Sequence, residues 1–440
     1  MKTKILLWSV ASALIIGIAA AVCWWELRPQ VITFSDNSKV TLLSVDYGKK
    51  HTPPNVTIPA APGARTRRGT AFNTTNDTLV VWVRQEHEPN QYANFQYYAY
   101  DTTGAACVGS SGMNYGNGNP QSDSAIVGIQ FGAFPRRQGR FFVRVGENSN
   151  YGQEMAKQKF AIRNPARGSF SSWTPDSLPN AQQDDDVSVT LTKLVAGAAM
   201  PYTRNNDDPD DAVNKGVQAT FHVERNGKPV ANWQPVSVET TDATGNRLKG
   251  FVTGNEWNGG DDVASYQWGL WPDEPAWKIQ LEFSQQSDFS PEETWTVQDI
   301  PVQPGRQQDF YNTGGRRQQT NSAFAEADLN GFHLKIFPAK QFTDVSPNSQ
   351  PQGGLTIQTA PALTEGMRLT LAKLTDDQTN DIAYWDWGSV RNGKTSTTCR
   401  YGLRALDGVT NLYLTLALHK SRFVVFTARP EKAAATAAAQ

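Results

Sequence analysis

The chain has 440 residues, and its 41 lysines and arginines nearly balance 42 aspartates and glutamates, giving a formal charge of −1. This balance excludes a polybasic nucleic-acid-binding protein, because no surplus of cations is present to displace phosphate counterions. Only 19% of the residues are charged, and 35 glycines and 25 prolines are typical of a turn-rich globular chain. At roughly 100 to 200 residues per domain, the length allows two to four domains.

The chain begins with an uncharged segment. Residues 5–25 carry no charge, and as an α-helix they would extend about 31 Å, the hydrocarbon thickness of a bilayer. Lys2 and Lys4 precede this segment, so the positive-inside rule predicts a single-pass cell-membrane anchor with a cytoplasmic N-terminus and a periplasmic or extracellular main part. Cleavage after the small residues 19–21 and lipidation of Cys23 are alternatives that the sequence leaves open.

Alternation of apolar and polar residues dominates the rest of the chain. In residues 277–283 the odd-numbered side chains are apolar and the even-numbered ones polar, which indicates a strand with one buried and one wet face. Residues 412–418 repeat the pattern with leucine at every second position. Helical periodicity is weak outside the anchor, so the sequence predicts a mainly β protein.

Three segments share one short phrase with an irregular spacing. They are Val40-Thr-Leu-Leu-Ser-Val45, Val189-Thr-Leu-Thr-Lys-Leu194 and Leu369-Thr-Leu-Ala-Lys-Leu374. Each has apolar residues at its first, third and sixth positions, which strict two-residue alternation cannot place on one face. A β-bulge after the second apolar residue restores that face, and we expect one in each phrase.

These repeats predict three tandem β-sandwich, immunoglobulin-like domains of about 100 to 135 residues each. Polar stretches poor in strand pattern separate the domains and are interpreted as linkers. The predicted division is anchor 1–29, first domain 31–165, linker 166–184, second domain 185–303, linker 304–329, third domain 330–430 and disordered tail 431–440. Cys107 and Cys399 fall in different domains and are expected to be unpaired.

Common catalytic motifs are missing from the sequence. It contains no Gly-x-Ser-x-Gly, no His-Glu-x-x-His, no Gly-x-x-x-x-Gly-Lys and no pair of Cys-x-x-Cys phrases. The five histidines are far apart in the chain, and most are interpreted as surface or hydrogen-bonded strand residues. We therefore expect no enzyme, although residues that converge only in space remain an alternative.

An acidic loop at residues 205–211 is the best candidate metal site. Its carboxylates are Asp207, Asp208, Asp210 and Asp211. Calcium takes six to eight hard oxygen ligands, which a flexible acidic loop can supply. The alternative is a solvated hairpin tip, and convergence with the acidic residues 184–186 would favour the metal.

Tryptophans in the second domain suggest a possible sugar-binding surface. Trp257, Trp268 and Trp271 flank a loop rich in Asn, Gly and Asp, and exposed indole rings stack on the apolar faces of sugars. The alternative, which we favour, is that these tryptophans pack in or over the core. Three arginine pairs, at residues 67–68, 136–137 and 316–317, are interpreted as ordinary solvated charge, with binding of anionic envelope polymers as the alternative.

These features predict a membrane-anchored, extracytoplasmic, non-catalytic interaction or scaffold protein. Its expected partners are the lipid bilayer, through residues 5–25, and an unknown protein or polysaccharide, but not nucleic acid. The first alternative is a carbohydrate-binding protein that uses the second-domain tryptophans. The second is a hydrolase whose acidic residues, including Asp207 or Asp208, assemble in space. No cofactor is expected, with calcium as the possible exception.

Overall fold

A computed structural model describes residues 30–55, 71–87, 94–101, 106–114, 124–149, 152–166, 168–199, 215–250, 252–257, 262–267, 269–307, 310, 322–345, 351–392, 394–404 and 406–433. The predicted anchor lies outside these residues. Within them, no helix is long and apolar enough to cross a bilayer. The described chain is mainly β and forms several sheets, which confirms the expected structural class.

The first unit is an eight-stranded antiparallel sheet. Its strands are β1 (Val31–Thr33), β2 (Lys39–His51), β3 (Phe72–Glu86), β4 (Asn94–Tyr100), β5 (Ala106–Asn114), β6 (Ser124–Phe131), β7 (Arg140–Ser149) and β8 (Gly152–Arg163). They are ordered β1-β2-β3-β6-β5-β4-β7-β8. The Gln30 side chain joins this unit's two outer strands, because its Oε1 accepts from the Ala161 amide at 2.7 Å and its Nε2 donates to the Ala161 carbonyl at 3.1 Å.

The second unit contains two sheets. Its strands are β9 (Asn180–Asp184), β10 (Val187–Ala199), β11 (Lys215–Arg225), β12 (Lys228–Pro229), β13 (Trp233–Asp242), β14 (Arg247–Gly250), β15 (Val252–Trp257), β16 (Asp262–Gln267), β17 (Trp277–Gln285), β27 (Arg422–Ala428) and β28 (Glu431–Lys432). One sheet has the order β15-β16-β11-β10-β28, with β9 on β10 and β12 on β11. The other has the order β14-β13-β17-β27. Phe221 and Phe283 meet between the sheets with ring centroids 5.1 Å apart.

The third unit follows a short 3-10 turn at Pro291–Glu293. Its strands are β18 (Thr294–Gly305), β19 (Ala325–Leu329), β20 (Phe332–Ile336), β21 (Ala339–Phe342), β22 (Gly353–Ala360), β23 (Met367–Asp376), β24 (Tyr384–Asn392), β25 (Ser396–Leu403) and β26 (Asn411–Lys420). The main path is β19-β20-β22-β21-β18-β26-β23. From β22 the sheet extends through β25 to β24.

Two strands leave the units that the sequence analysis assigned to them. β18, expected in the second domain, pairs with β26 and β21 of the third unit. β27, expected in the third domain, pairs with β17 along its whole length, so that Phe426 lies opposite Ile279. Only Ser421 separates β26 from β27. The second and third units therefore exchange their last strands and are connected by the chain twice.

The three expected bulges are present. Register shifts occur between Leu42 and Ser44, between Leu191 and Lys193, and between Leu371 and Lys373. Each shift immediately follows the second apolar residue of its phrase, as the spacing predicted. In the second phrase, all three apolar residues (Val189, Leu191 and Leu194) are buried in the core.

The buried apolar residues form two large cores. One core is continuous from the first unit into the second and includes Phe134, Phe141, Trp277 and Phe426. The other fills the third unit, with leucines of β26 at its centre. Because the first two units share a core, separating them would expose apolar surface to water.

Candidate functional site

The junction between the second and third units contains a buried carboxylate with three hydrogen bonds. Glu282 on β17 accepts from Arg368 on β23, whose Nε and Nη2 lie 2.8 and 2.6 Å from its two oxygens. The Ser421 hydroxyl donates to Glu282 Oε1 at 2.6 Å. Burial acts to raise the pKa of the Glu282 carboxyl, but the bonds from Arg368 and Ser421 outweigh burial and hold this pKa below its ordinary value. Glu282 is therefore ionised and links two sheets through its hydrogen bonds.

His419 lies near the end of β26, opposite Arg368 of β23 in the strand register. It is buried, its Nε2 lies 2.9 Å from the Thr370 hydroxyl, and its ring centroid is 4.8 Å from that of Phe289. Burial is the main reason that the pKa of His419 falls to about 4, and the charge of Arg368 adds to the effect. The imidazole is therefore neutral at neutral pH.

A second cluster attaches β27 to the start of the second unit. Asp186 accepts from Arg225 Nε at 2.5 Å and from Arg422 Nη2 at 2.9 Å. Both guanidinium groups lie over the buried ring of Trp233, at 6.0 and 5.6 Å from its centroid. Burial opposes ionisation of Asp186, but the two arginines prevail and lower the pKa of its carboxyl. We call Glu282, Arg368, His419, Ser421, Arg422 and Asp186 the junction cluster.

The neighbouring acidic residues are also used for structure. Asp184 Oδ2 accepts from the Phe423 amide at 2.7 Å, and Asp185 Oδ2 lies 3.1 Å from Arg422. Residues 184–186 thus hold β27 in place. Among the described residues, no three His, Cys, Asp or Glu side chains are grouped as metal ligands.

The junction between the first and second units is built on a buried arginine. Arg136 Nε donates to Asn246 Oδ1 at 2.9 Å, and its Nη1 donates to the Thr244 carbonyl at 3.0 Å. Asn246 in turn donates to Asp242 at 2.8 Å. Arg137 binds both oxygens of Glu274 at 2.9 Å. The interpretation as solvated charge is therefore wrong for Arg136, which is buried, whereas Arg137 is exposed and forms an ion pair with Glu274. The pairs at 67–68 and 316–317 lie outside the described residues.

These groups do not form a nucleophile and base. The Ser421 hydroxyl faces Glu282 and the Gly366 carbonyl, while His419 Nε2 faces Thr370, so no serine–histidine contact is made. In the first unit, His51 lies 3.2 Å from Asp46 and 3.3 Å from Thr74, and it is fully buried. The arrangement is suited to holding sheets together.

The predicted sugar-binding tryptophans are distributed differently. Trp271 is 5% exposed and belongs to the core, where its carbonyl accepts from Trp277 Nε1 at 3.2 Å. It offers no free face to a sugar, in line with the packing alternative. The backbone of Trp257 lies in β15, but the structure does not describe its side chain. Trp268 lies outside the described residues.

The predicted calcium ligands Asp207, Asp208, Asp210 and Asp211 also lie outside the described residues. The Cys107 and Cys399 thiols are both buried, in different units. Burial raises the pKa of both thiols to about 12, which makes them unreactive at neutral pH.

Sequence reasoning missed the junction cluster. Glu282 occupies an even, polar position in the alternation of residues 277–283, which predicts exposure to water. It is buried because Arg368, 86 residues away in the chain, covers it. No local sequence pattern predicts the contact between Glu282 and Arg368. Comparison of the sequence with models of known protein families and with curated proteins gives no match.

Proposed function

We propose that this chain is a membrane-anchored, extracytoplasmic, non-catalytic scaffold that presents three coupled β-sandwich, immunoglobulin-like domains to a protein partner. The uncharged segment at residues 5–25 supports the anchor. The positive residues before it support the orientation. Binding would use loops and exposed strand edges, because the buried Glu282 and Arg136 are already engaged in contacts between units.

The observation that carries this proposal is the exchange of β18 and β27 between the second and third units. Each exchanged strand is hydrogen-bonded into a sheet of the other unit, and the junction cluster adds charged bonds across the boundary. Relative motion of the two units would break both. A fixed spacing between binding surfaces suits a scaffold, because the cost of ordering is met during folding rather than during binding.

Photo-crosslinking in the native membrane tests the proposal. A photoreactive amino acid replaces Lys228, on an exposed hairpin of the second unit, or Lys373, on an outer strand of the third. We expect discrete adducts with one protein, and saturable binding when that protein is purified and titrated with the full-length chain. Turnover of a substrate in a hydrolase panel, without any discrete adduct, would contradict the proposal.

A charge-reversal pair tests whether the coupling matters for binding. Glu282→Arg places two cations together and is expected to weaken partner binding. The double variant Glu282→Arg/Arg368→Glu restores opposite charges and is expected to recover it. Equal binding by all three proteins would show that the coupling of the units has no part in the function.

A further inference from the structure

The outer face of the third sheet carries one continuous row of residues in register. Across β18, β21, β22, β25 and β24 they are Gln303, Lys340, Gly354, Gly402 and Trp385. Residues paired across neighbouring strands point to the same side of a sheet. The core lies on the other side, because Leu355 and Tyr401 are buried in it.

The two glycines bring aromatic rings directly onto the strands. A Cβ at Gly402 would lie 2.7 Å from the Trp385 ring, and one at Gly354 would overlap the ring of Phe310. Real side chains do not approach so closely, so both rings depend on the bare backbone. The rings of Trp385 and Phe310 therefore cover the two glycines and form an aromatic floor in the middle of the row.

Cations surround this floor. The Arg404 guanidinium lies 5.3 Å from the Trp385 ring centroid. Arg400 lies one outward position along β25 from Gly402, and the Lys340 Nζ donates to Gln303 Oε1 at 2.8 Å. We call Lys340, Arg400, Arg404 and Trp385 the cationic face.

The cations of this face have no acidic partner in the described part of the chain. Arg400 and Lys340 are half-buried, and burial lowers the pKa of both groups because no neighbouring carboxylate compensates for the lost water. Asp386, the acid on β24, is paired with Tyr401 and so has the register of the opposite side. An incoming anion would therefore meet positive charge that is already partly dehydrated.

Neutral polar side chains fill the other outward positions. On β22 and β25 they are Thr356, Gln358 and Thr398. Hydroxyl and amide groups both donate and accept hydrogen bonds, which suits a ligand rich in hydroxyls. A nucleic acid is less well matched, because three cations would neutralise few of its phosphates.

We infer that the cationic face binds a carboxylated polysaccharide. Arg400 and Lys340 receive carboxylates, Arg404 holds its guanidinium ready on Trp385, and Thr356 and Gln358 bond to sugar hydroxyls. Planar guanidinium groups match carboxylates in a two-bond geometry. This site is distinct from the second-unit tryptophans and does not depend on the scaffold proposal.

Titration of the full-length protein with polygalacturonate tests the inference. The matched control ligand is the methyl ester of the same polymer, which keeps the sugar and removes the charge. We expect binding to polygalacturonate that weakens as salt is raised, and none to the ester. Arg400→Gln and Lys340→Gln should each weaken binding about tenfold, which is the loss of one charge-assisted hydrogen bond. Arg163→Gln removes an exposed cation of the first unit and should leave binding unchanged.

Several results would overturn the inference. They are equal binding of acid and ester, no binding to either, and binding unaffected by both substitutions. Binding confined to phosphatidylglycerol vesicles would assign the face to lipid instead. Thermal unfolding shows whether each variant is folded. The comparison of acid with ester uses the unaltered protein, so its result tests the inference even if a variant misfolds.

Discussion

Arg368 holds Glu282 across the boundary between the second and third units through two hydrogen bonds, at 2.8 and 2.6 Å. Residue Glu282 is 8% exposed, and its third hydrogen-bond donor, Ser421, is the one residue between the strands β26 and β27. The bond thus lies at the place where the chain returns to the second unit. Loss of either charge would leave its partner uncompensated in a partly dry environment.

The first prediction concerns the stability of a variant that lacks the Arg368 side chain. Arg368→Ala should lower the free energy of unfolding by about 3 kcal/mol, because it leaves Glu282 buried and unpaired. Replacing both residues by apolar ones, as in Glu282→Met/Arg368→Leu, should be nearly neutral. Urea unfolding measures both. The control is Arg247→Ala, which breaks an ion pair whose arginine side chain is 58% exposed, and it should cost less than about 1 kcal/mol. Equal losses at Arg368 and Arg247 would contradict the account.

The stability of the protein should fall in weak acid because of His419. Its folded pKa of about 4 lies below the ordinary value of 6.5, so the unfolded chain takes up the proton first as the pH falls. The contribution is fully present above about pH 6.5 and is lost progressively down to about pH 4. At about 1.36 kcal/mol per pKa unit, the loss is on the order of 3 kcal/mol.

Two histidine variants check the sign of this dependence. His419→Gln can keep the bond to Thr370 but cannot titrate, so its stability should change less between pH 6.5 and 4. His333 is partly exposed, and its hydrogen bonds to Asp328 and Glu326 raise its pKa, so it favours folding at low pH. His333→Gln should therefore make the acid loss slightly steeper. A pH profile of His419→Gln that matches the unaltered protein would refute the assignment to His419.

The proposed orientation in the membrane predicts a labelling pattern. Ser172 is exposed, whereas Cys107 and Cys399 are buried with pKa values raised to about 12. A membrane-impermeant maleimide should label Ser172→Cys in right-side-out vesicles and not in sealed inverted ones. The unaltered protein is the control, and it reports any reaction of Cys23. Labelling only in inverted vesicles would show that the main part of the chain lies on the cytoplasmic side, opposite to the proposed orientation.

Local patterns predicted the strands well because alternation reflects burial directly. Residues 277–283 form part of β17, with Trp277, Ile279 and Leu281 fully buried. The bulges were predictable for the same reason, since only an extra residue returns Leu194 to the face of Leu191.

Contacts between distant strands were beyond this kind of reasoning. β18 and β27 have ordinary alternating sequences that fit either of two sheets, so their partners depend on how the whole chain folds. The same limit applies to Arg136, which is buried because Asn246, 110 residues later, accepts its hydrogen bond. Sequence patterns predict which face of a strand is buried, but they do not predict which strand pairs with it.

The strand exchange is tested most directly by hydrogen exchange on two neighbouring variants of β27. Phe426 is fully buried opposite Ile279, whereas Val425 is 41% exposed. Phe426→Ala should cost about 3 to 5 kcal/mol and remove protection from β17 and β13 of the second unit, while Val425→Ala should change stability by no more than about 0.5 kcal/mol. If Phe426→Ala leaves β17 fully protected and exposes only strands of the third unit, β27 does not belong to the second unit and the interlocked arrangement is wrong.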